Sequence, residues 1–254
     1  MKLLRTLMAT ALLAAATQTH AIPVLQLYVE GAEYNYDHES WVFDPITSSD
    51  PIRVWVIGNV DGPGGKGTIV DVKLAITYED LTEGQDASIT LTSSTTGGYN
   101  GFFDESTPDD AVFTQLNQDG DIPLMGDGTP IATHGVYGDG WEWQEFLLGD
   151  FDQTDSQIMD FINEAPIASP DDPMTGQINV YELSITGDIS DVHIDAYDHV
   201  QSNNKVRYVF APYSHDAGTG INDPVPVAEP SIVALFGAGL AGLAFGVGRR
   251  RRDR

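Results

Sequence analysis

The sequence predicts an all-β fold, an antiparallel β-sandwich of jelly-roll type, and three observations lead to it. Apolar and polar residues alternate in several short segments, as expected for strands with one buried face. Turns rich in glycine and aspartate separate these segments. No long stretch repeats with the 3.6-residue period of a helix, and the one modest helix candidate covers residues 153–164.

The predicted strands differ in how clearly they alternate. Residues 177–187 are the clearest case, because Tyr181, Leu183 and Ile185 alternate with polar neighbours. Residues 141–148 fit either a strand or a short helix. Between residues 97 and 140 the strand signal weakens, and such an irregular stretch is either functional or poorly ordered. The other predicted strands cover residues 24–30, 52–58, 68–79, 87–92, 191–196 and 205–211.

The N-terminus has the three-part pattern of a secretory signal peptide. Lys2 and Arg5 precede the apolar residues 7–16, and Thr19-His20-Ala21 places small residues where a signal peptidase reads them. The apolar run is shorter than the roughly 20 residues that a membrane span needs. We therefore expect a cleavable signal helix over residues 1–21 and a body that begins at Ile22.

The C-terminus pairs an apolar segment with a cluster of positive charge. Residues 232–247 carry no charge, and arginines follow at positions 249–252 and 254. As a helix of about 24 Å, this segment is at the lower limit for a single transmembrane helix. Arginines beside a span stay cytoplasmic, so the body lies outside. The prolines within residues 221–228 predict an extended linker between the body (residues 22–220) and this tail (residues 229–254).

The tail also carries a family resemblance. Its order is a short polar element, a Gly/Ala-rich apolar helix and an arginine cluster, and this order resembles a PEP-CTERM sorting signal. The resemblance implies recognition by an exosortase-type transpeptidase of a Gram-negative bacterium, transient inner-membrane anchoring, and removal of the tail. Ala228 stands where the family has its first proline. A plain C-terminal membrane anchor is the alternative. The residues that carry the motif are Glu229, Pro230, Ser231, Arg249, Arg250, Arg251 and Arg252.

A second resemblance covers residues 25–218. The collinear set of segments is similar to the choice-of-anchor N proteins, exported bacterial proteins whose shared body is attached to differing C-terminal anchors. The resemblance implies export and surface display, and it names no catalytic residue. The segments are LQLYVEGAEY, WVIG, DVKLAI, GDGTPIATHGVY, LGDF, GQINVYELSI, HIDAYDHV and FAPYSHDAG.

Charge and cysteine content limit the function classes. Outside the leader and tail, five Lys and Arg face 36 Asp and Glu, so the body carries a formal charge of about −31. Such a surface repels nucleic acid and anionic polysaccharide, and it suits divalent cations or solubility in salt, where self-repulsion is screened. A solvated acidic surface with no specific partner is the alternative. The chain has no cysteine, which excludes disulfides, thiol catalysis and thiolate metal ligands.

One candidate metal site lies in the strand predicted at residues 191–196. Asp191, His193 and Asp195 alternate and would share a face, and His199 follows closely. Carboxylates beside imidazoles are ligands for Zn²⁺ or Mn²⁺, with the loop histidines at 134 and 215 as additional candidates. The alternative is a polar strand surface.

A second candidate is a calcium site in the aspartate-rich loop at residues 117–121. Asn117, Asp119 and Asp121 place oxygen ligands at alternate positions, as at the start of a calcium loop. Ile122 replaces the turn glycine of an EF-hand, and Gly128 stands where the bidentate glutamate belongs. An irregular Ca²⁺ site is the hypothesis, and ordinary turn chemistry is the alternative.

Trp141 and Trp143 are candidates for stacking on sugar rings of an extracellular polysaccharide. In a strand the two indoles share a face, with carboxylates nearby. The alternative is that both tryptophans belong to the core.

The expected function is a non-enzymatic structural or adhesive protein of the cell surface or extracellular matrix. No GxSxG, HExxH or phosphate-binding loop is present in the sequence. Two alternatives remain open: a carbohydrate-binding module using Trp141 and Trp143, and a metal-dependent hydrolase using His193, Asp195 and His199. Signal peptidase and an exosortase-type enzyme are the expected processing partners, Ca²⁺ is the candidate ion, and no nucleic-acid partner is expected.

Overall fold

A computed structural model describes residues 22–35, 40–43, 51–65, 67–94, 111–117, 121–132, 136–161, 173–189, 192–202, 205–211 and 216–218. These residues form strands arranged in two sheets, and they include no helix, which confirms the all-β prediction. The strands are β1 (Leu25–Val29), β2 (Glu33–Asn35), β3 (Ser40–Val42), β4 (Ile52–Gly58), β5 (Ile69–Glu79), β6 (Ala87–Ser93), β7 (Val112–Asn117), β8 (Trp141–Phe151), β9 (Ser156–Gln157), β10 (Met174–Gly187), β11 (His193–Ser202), β12 (Lys205–Phe210) and β13 (Asp216–Gly218).

The first sheet has the strand order β1-β4-β10-β6, and β9 pairs with the start of β10. Strand β4 lies between β1 and β10, and residues 54–58 are buried, which explains why this strand is apolar on both faces. Strand β6 keeps one solvated face, because Ile89 and Leu91 are buried while Thr90 and Thr92 are exposed.

The second sheet has the order β2-β3-β13-β11-β5-β8-β7, with β12 also paired to β11. All of its pairs are antiparallel except β3 with β13. At its centre, Ala75 of β5 is aligned with Asp195 of β11 on one side and with Glu145 of β8 on the other. This register places two acidic residues on the same face of the sheet.

The two sheets share one hydrophobic core. Val54 and Val56 of the first sheet belong to the same buried cluster as Leu74, Ile76 and Phe146 of the second sheet. The sheets approach closely at Gly58, where a Cβ would lie 2.7 Å from Cδ2 of Phe151. Since the chain has no cysteine, apolar burial replaces disulfides as the source of stability.

The prediction of a helix at residues 153–164 is wrong over residues 153–161. Here the chain forms β9 and an irregular connection. The side-chain amide of Gln26 donates to the carbonyl of Met159 at 2.9 Å and accepts from the N–H of Phe161 at 3.1 Å. Because this amide binds the backbone of the connection and buries Met159 and Phe161 against the first sheet, tertiary contacts override a weak helical pattern.

Most predicted strands are confirmed, and residues 141–148 are strand rather than helix. Strand β7 lies inside the region that was predicted to be irregular. Val112, Phe113 and Leu116 of β7 are all half-exposed, so the strand lacks a clean alternation in its sequence.

Within the described part of the chain, no helix is long and apolar enough to cross a membrane. The predicted signal helix and the predicted transmembrane helix at residues 232–247 lie outside the described residues.

Candidate functional site

The outer face of the second sheet, turned away from the shared core, carries a cluster of polar and ionisable side chains. Alternate residues of a strand point to the same face, and the register aligns three neighbouring strands. Asp195 of β11 and Glu145 of β8 flank Ala75, while Tyr197 of β11 is aligned with Lys73 of β5. We call this set the outer-face cluster; its members are Lys73, Glu145, His193, Asp195, Tyr197 and Asp198.

A covering segment lies over this face. It comprises residues 121–132 and 136–140, and its Ile131, Val136 and Tyr137 pack with Trp143 and Tyr197 in a second, smaller core. A tight turn shapes the segment: the N–H of Met125 donates to the carbonyl of Thr129 at 2.9 Å, and Gly128 has a φ of +82°. Five members of the outer-face cluster are buried, and the side chain of Lys73 is 21% exposed.

Asp195 is the most enclosed acid of the cluster, with no solvent exposure. Its Oδ2 accepts a hydrogen bond of 2.6 Å from the hydroxyl of Tyr137 and lies 3.2 Å from Nε2 of His193. No donor among the described residues binds Oδ1 of Asp195. Leaving a buried acceptor without a partner costs about 1–3 kcal/mol. Oδ1 of Asp195 can therefore still accept a hydrogen bond.

Glu145 is held by hydroxyl groups from both sides. Thr114 Oγ1 donates to its Oε1 at 2.8 Å, the hydroxyl of Tyr197 donates to Oε2, and Nζ of Lys73 lies 3.6 Å from Oε2. Burial, followed by the negative charge of Glu145, raises the pKa of Tyr197 far above its ordinary value. Tyr197 is therefore a neutral hydrogen-bond donor at every physiological pH.

Asp198 sits in a strained backbone. Its φ is +139°, in a region that favours glycine, and it lies where two residues of β5 oppose one residue of β11. Asp71 in the same bulge has a φ of +53°. Such conformations cost about 1–3 kcal/mol each and persist only where surrounding contacts hold them. Those contacts include His199 Nδ1, 2.8 Å from Oδ1 of Asp198, and Lys73 Nζ, 3.8 Å from its Oδ2.

The cluster has more acids than fixed cations. Glu145, Asp195 and Asp198 are 3%, 0% and 1% exposed, and in the described part of the chain one lysine, Lys73, contacts Glu145 and Asp198. Buried charges require partners. Chemically, the arrangement brings a primary amine into contact with two enclosed carboxyl groups on neighbouring strands.

The structure brings together part of the predicted metal site. His193 and Asp195 share a face and are in contact, whereas His199 contacts Asp198. Asp191 and the histidines at 134 and 215 lie outside the described residues. Over the described ranges, no group of three or more His, Cys, Asp or Glu side chains is arranged to hold a metal ion.

The predicted calcium loop is only partly described. Asp121 is exposed, and its backbone carbonyl accepts a 2.9 Å hydrogen bond from the indole N–H of Trp143. Asp119 and the side chain of Asn117 lie outside the described residues. Calcium binding in this loop stays a prediction.

Trp141 and Trp143 share a face, as expected, but it is the covered face. Trp143 is 1% exposed and belongs to the second core, against which the partly buried Trp141 packs. The covering segment occupies the space in which a sugar ring would have to stack. Trp143 is therefore a core residue in this structure, and sugar stacking by Trp141 and Trp143 stays a prediction.

The sequence analysis assigned no role to Glu145 or Asp198. The signal for Glu145 was available, since it shares the strand face of Trp141 and Trp143 by period two. An acid on an apolar strand face predicts a buried partner. No local pattern marks the bulge that turns Asp198 toward Lys73, because a bulge depends on the pairing of two distant strands.

Comparison of the chain with protein-family models, with curated proteins and with solved structures finds no match. The sorting residues Glu229, Pro230, Ser231 and Arg249 to Arg252 lie outside the described residues. Both family resemblances therefore stay predictions.

Proposed function

We propose that this chain is an exported surface or matrix protein of a Gram-negative bacterium, with a jelly-roll-like β-sandwich body and a structural or adhesive role. The observation that carries the proposal is the order of segments at the C-terminus. A Glu-Pro-Ser element, an uncharged segment of 16 residues and five arginines follow one another there. The leader at residues 1–21 implies the same orientation, with the body outside the cytoplasm.

The course of the chain supports display from a C-terminal tether. The first and last described strands, β1 and β13, contact each other, so the described part of the body begins and ends in the same region. Strand β13 is also paired with both β3 and β11. The last described strand is therefore part of the hydrogen-bonded sheet.

The charge of the body fits an extracellular role. Its formal charge of about −31 is larger than the −26 of the whole chain, because the tail arginines offset part of it. Removal of the tail yields a strongly anionic domain that divalent cations can bridge to other anionic matrix components. This gives the adhesive role a physical basis.

The test is expression of the full chain in a Gram-negative host that contains an exosortase. We expect a mature protein that begins at Ile22, lacks the arginine cluster, and is degraded by protease added to intact cells. Replacing Arg249 to Arg252 with alanine should leave the tail uncleaved, whereas the control Asp253→Ala should be processed normally. Recovery of the body in the cytoplasm with the leader intact would refute export.

Ala228→Pro separates a sorting signal from a plain anchor. The substitution creates the Pro-Glu-Pro order that the resemblance expects. With an exosortase present, we expect faster conversion of precursor to mature protein in a pulse-chase experiment. An anchored product with an intact tail in both proteins would favour the plain membrane anchor.

A further inference from the structure

We propose that Lys73 and Asp198 are joined by an intramolecular isopeptide bond, with Glu145 as the group that transfers protons during its formation. Lys73 lies on β5, between β8 and β11, and its Nζ is 3.6 Å from Oε2 of Glu145 and 3.8 Å from Oδ2 of Asp198. The proposal goes beyond the proposed function and does not depend on where the protein is located.

The surroundings favour an amide over an ion pair. The side chains of Asp198 and Glu145 are 2% and 4% exposed, and that of Lys73 is 21% exposed. The ring of Tyr197 lies 5.8 Å from Nζ of Lys73, on the side of the second core. Keeping an ammonium and a carboxylate in such an enclosure is costly, and condensation removes both charges.

Asp198 is the better acyl group of the two acids. Each oxygen of Glu145 already accepts a hydrogen bond, one from Thr114 and the other from Tyr197. These bonds fix the carboxyl group of Glu145 in place, where it can transfer protons. One oxygen of Asp198 contacts His199, and the other faces Lys73. These two contacts also hold the strained φ of +139° at Asp198. Near-attack geometry requires about 3–3.5 Å between the reacting atoms, which are Nζ and Cγ, and the flexible side chain of Lys73 holds its Nζ 3.8 Å from the adjoining Oδ2.

The reaction is a dehydration that needs no oxidant, reductant or co-reactant. Nζ of Lys73 attacks Cγ of Asp198, the C–N bond forms, and one C–O bond of the carboxyl breaks. Two of the three ammonium protons leave with that oxygen as water, and the third stays on the amide nitrogen. Glu145 accepts a proton from the amine and passes it to the departing oxygen. The ammonium and the carboxylate become one neutral amide, so charge balances.

The bond gives this chain a cross-link that cysteine cannot provide. The sequence contains no cysteine, and a link between β5 and β11 closes a long loop of the chain. A covalent closure of this kind constrains the unfolded state as a disulfide does.

The test is the intact mass of the folded protein, purified after expression of the full chain, with its termini determined in the same measurement. We expect a mass lower than that of the sequence by one water, and a proteolytic digest that contains a branched peptide joining Lys73 to Asp198. A folded protein with the full sequence mass would overturn the proposal.

Variants identify the groups involved. Lys73→Arg should restore the full mass, whereas the control Lys205→Arg should keep the loss of one water. Asp198→Asn should release ammonia instead of water and give a product of the same mass as the wild type, because both reactions leave the same amide. A mass difference between these two products would overturn the assignment to Asp198. Glu145→Gln should give a folded protein with the full mass, and complete linkage in this variant would overturn the role of Glu145.

Cyclisation at an Asp-Gly pair must be distinguished from the proposed bond. A succinimide at Asp127-Gly128 would also remove one water. It would not join two peptides, and it would persist in Lys73→Arg. Loss of water that persists in Lys73→Arg therefore counts against the isopeptide bond.

Discussion

Tyr137 donates a hydrogen bond of 2.6 Å to Oδ2 of Asp195, and this bond connects the covering segment to the central strand β11. The two residues are 58 positions apart, and both are buried. The hydroxyl satisfies a carboxylate oxygen that water cannot reach, and the ring of Tyr137 fills the second core. Tyr137 therefore both attaches the covering segment to β11 and helps to enclose the carboxyl group of Asp195.

Tyr137→Phe tests this connection. The ring is preserved, but Oδ2 of Asp195 loses its hydroxyl donor, which should reduce the free energy of unfolding by about 1–3 kcal/mol. Urea denaturation measures the loss. Hydrogen exchange should become faster over residues 136–140 and stay unchanged in β4, the control region. Equal exchange of the covering segment in both proteins would contradict the proposed attachment.

The raised pKa of Tyr197 predicts a specific alkaline instability. Above its ordinary pKa of about 10, the tyrosine ionises in the unfolded chain but stays protonated in the folded protein. The unfolded state then binds fewer protons, so the free energy of unfolding falls by up to about 1.4 kcal/mol per pH unit. Below about pH 10 the contribution is fully present.

Urea denaturation at pH values on both sides of 10 measures this slope, with Tyr197→Phe as the comparison. The variant should be less stable at neutral pH, because Glu145 loses a donor, but its stability should fall less steeply in alkali. Tyr78 has a pKa raised mainly by burial and contributes to the slope in both proteins. Identical slopes would show that Tyr197 ionises normally in the folded state.

The sequence predicted the strands well and the covering segment poorly, for a physical reason. Period-two alternation marks Tyr181 and Leu183 of β10 as buried, because one strand contains the whole signal. Ile131 and Val136 follow no period, and they are buried only because the segment folds onto a distant sheet. The contacts of Asp195 and Lys73 depend on strand pairing across long separations, which no local pattern encodes.

Trp143 and Trp141 provide a matched pair of substitutions. Trp143→Ala removes a side chain that is 1% exposed, together with its hydrogen bond to Asp121, and should cost about 3–5 kcal/mol. Trp141→Ala removes a partly exposed neighbour and should cost clearly less. Thermal and urea denaturation compare the two variants. Equal and small losses would mean that Trp143 is open to solvent, and they would support the sugar-stacking hypothesis.

The close approach of β10 to its neighbours leaves no room for a side chain at Gly176. A Cβ at this position would overlap the backbone carbonyl oxygen of Gly58, which belongs to a paired strand, as well as the side chain of Ile158. Because the carbonyl cannot move without breaking the sheet, Gly176→Ala should cost about 3 kcal/mol or more. Denaturation in urea measures the effect.

Gly84→Ala is the control for Gly176→Ala. Gly84 has a φ of +91° and open space around the position of a Cβ. Alanine at position 84 should lower the free energy of unfolding only through its strained backbone conformation, by about 1–2 kcal/mol. A clearly larger loss at Gly176 would show that steric overlap between strands, and not the general cost of replacing glycine, sets the requirement. Similar losses at the two positions would mean that β10 can move away from β4 and the connection that contains Ile158.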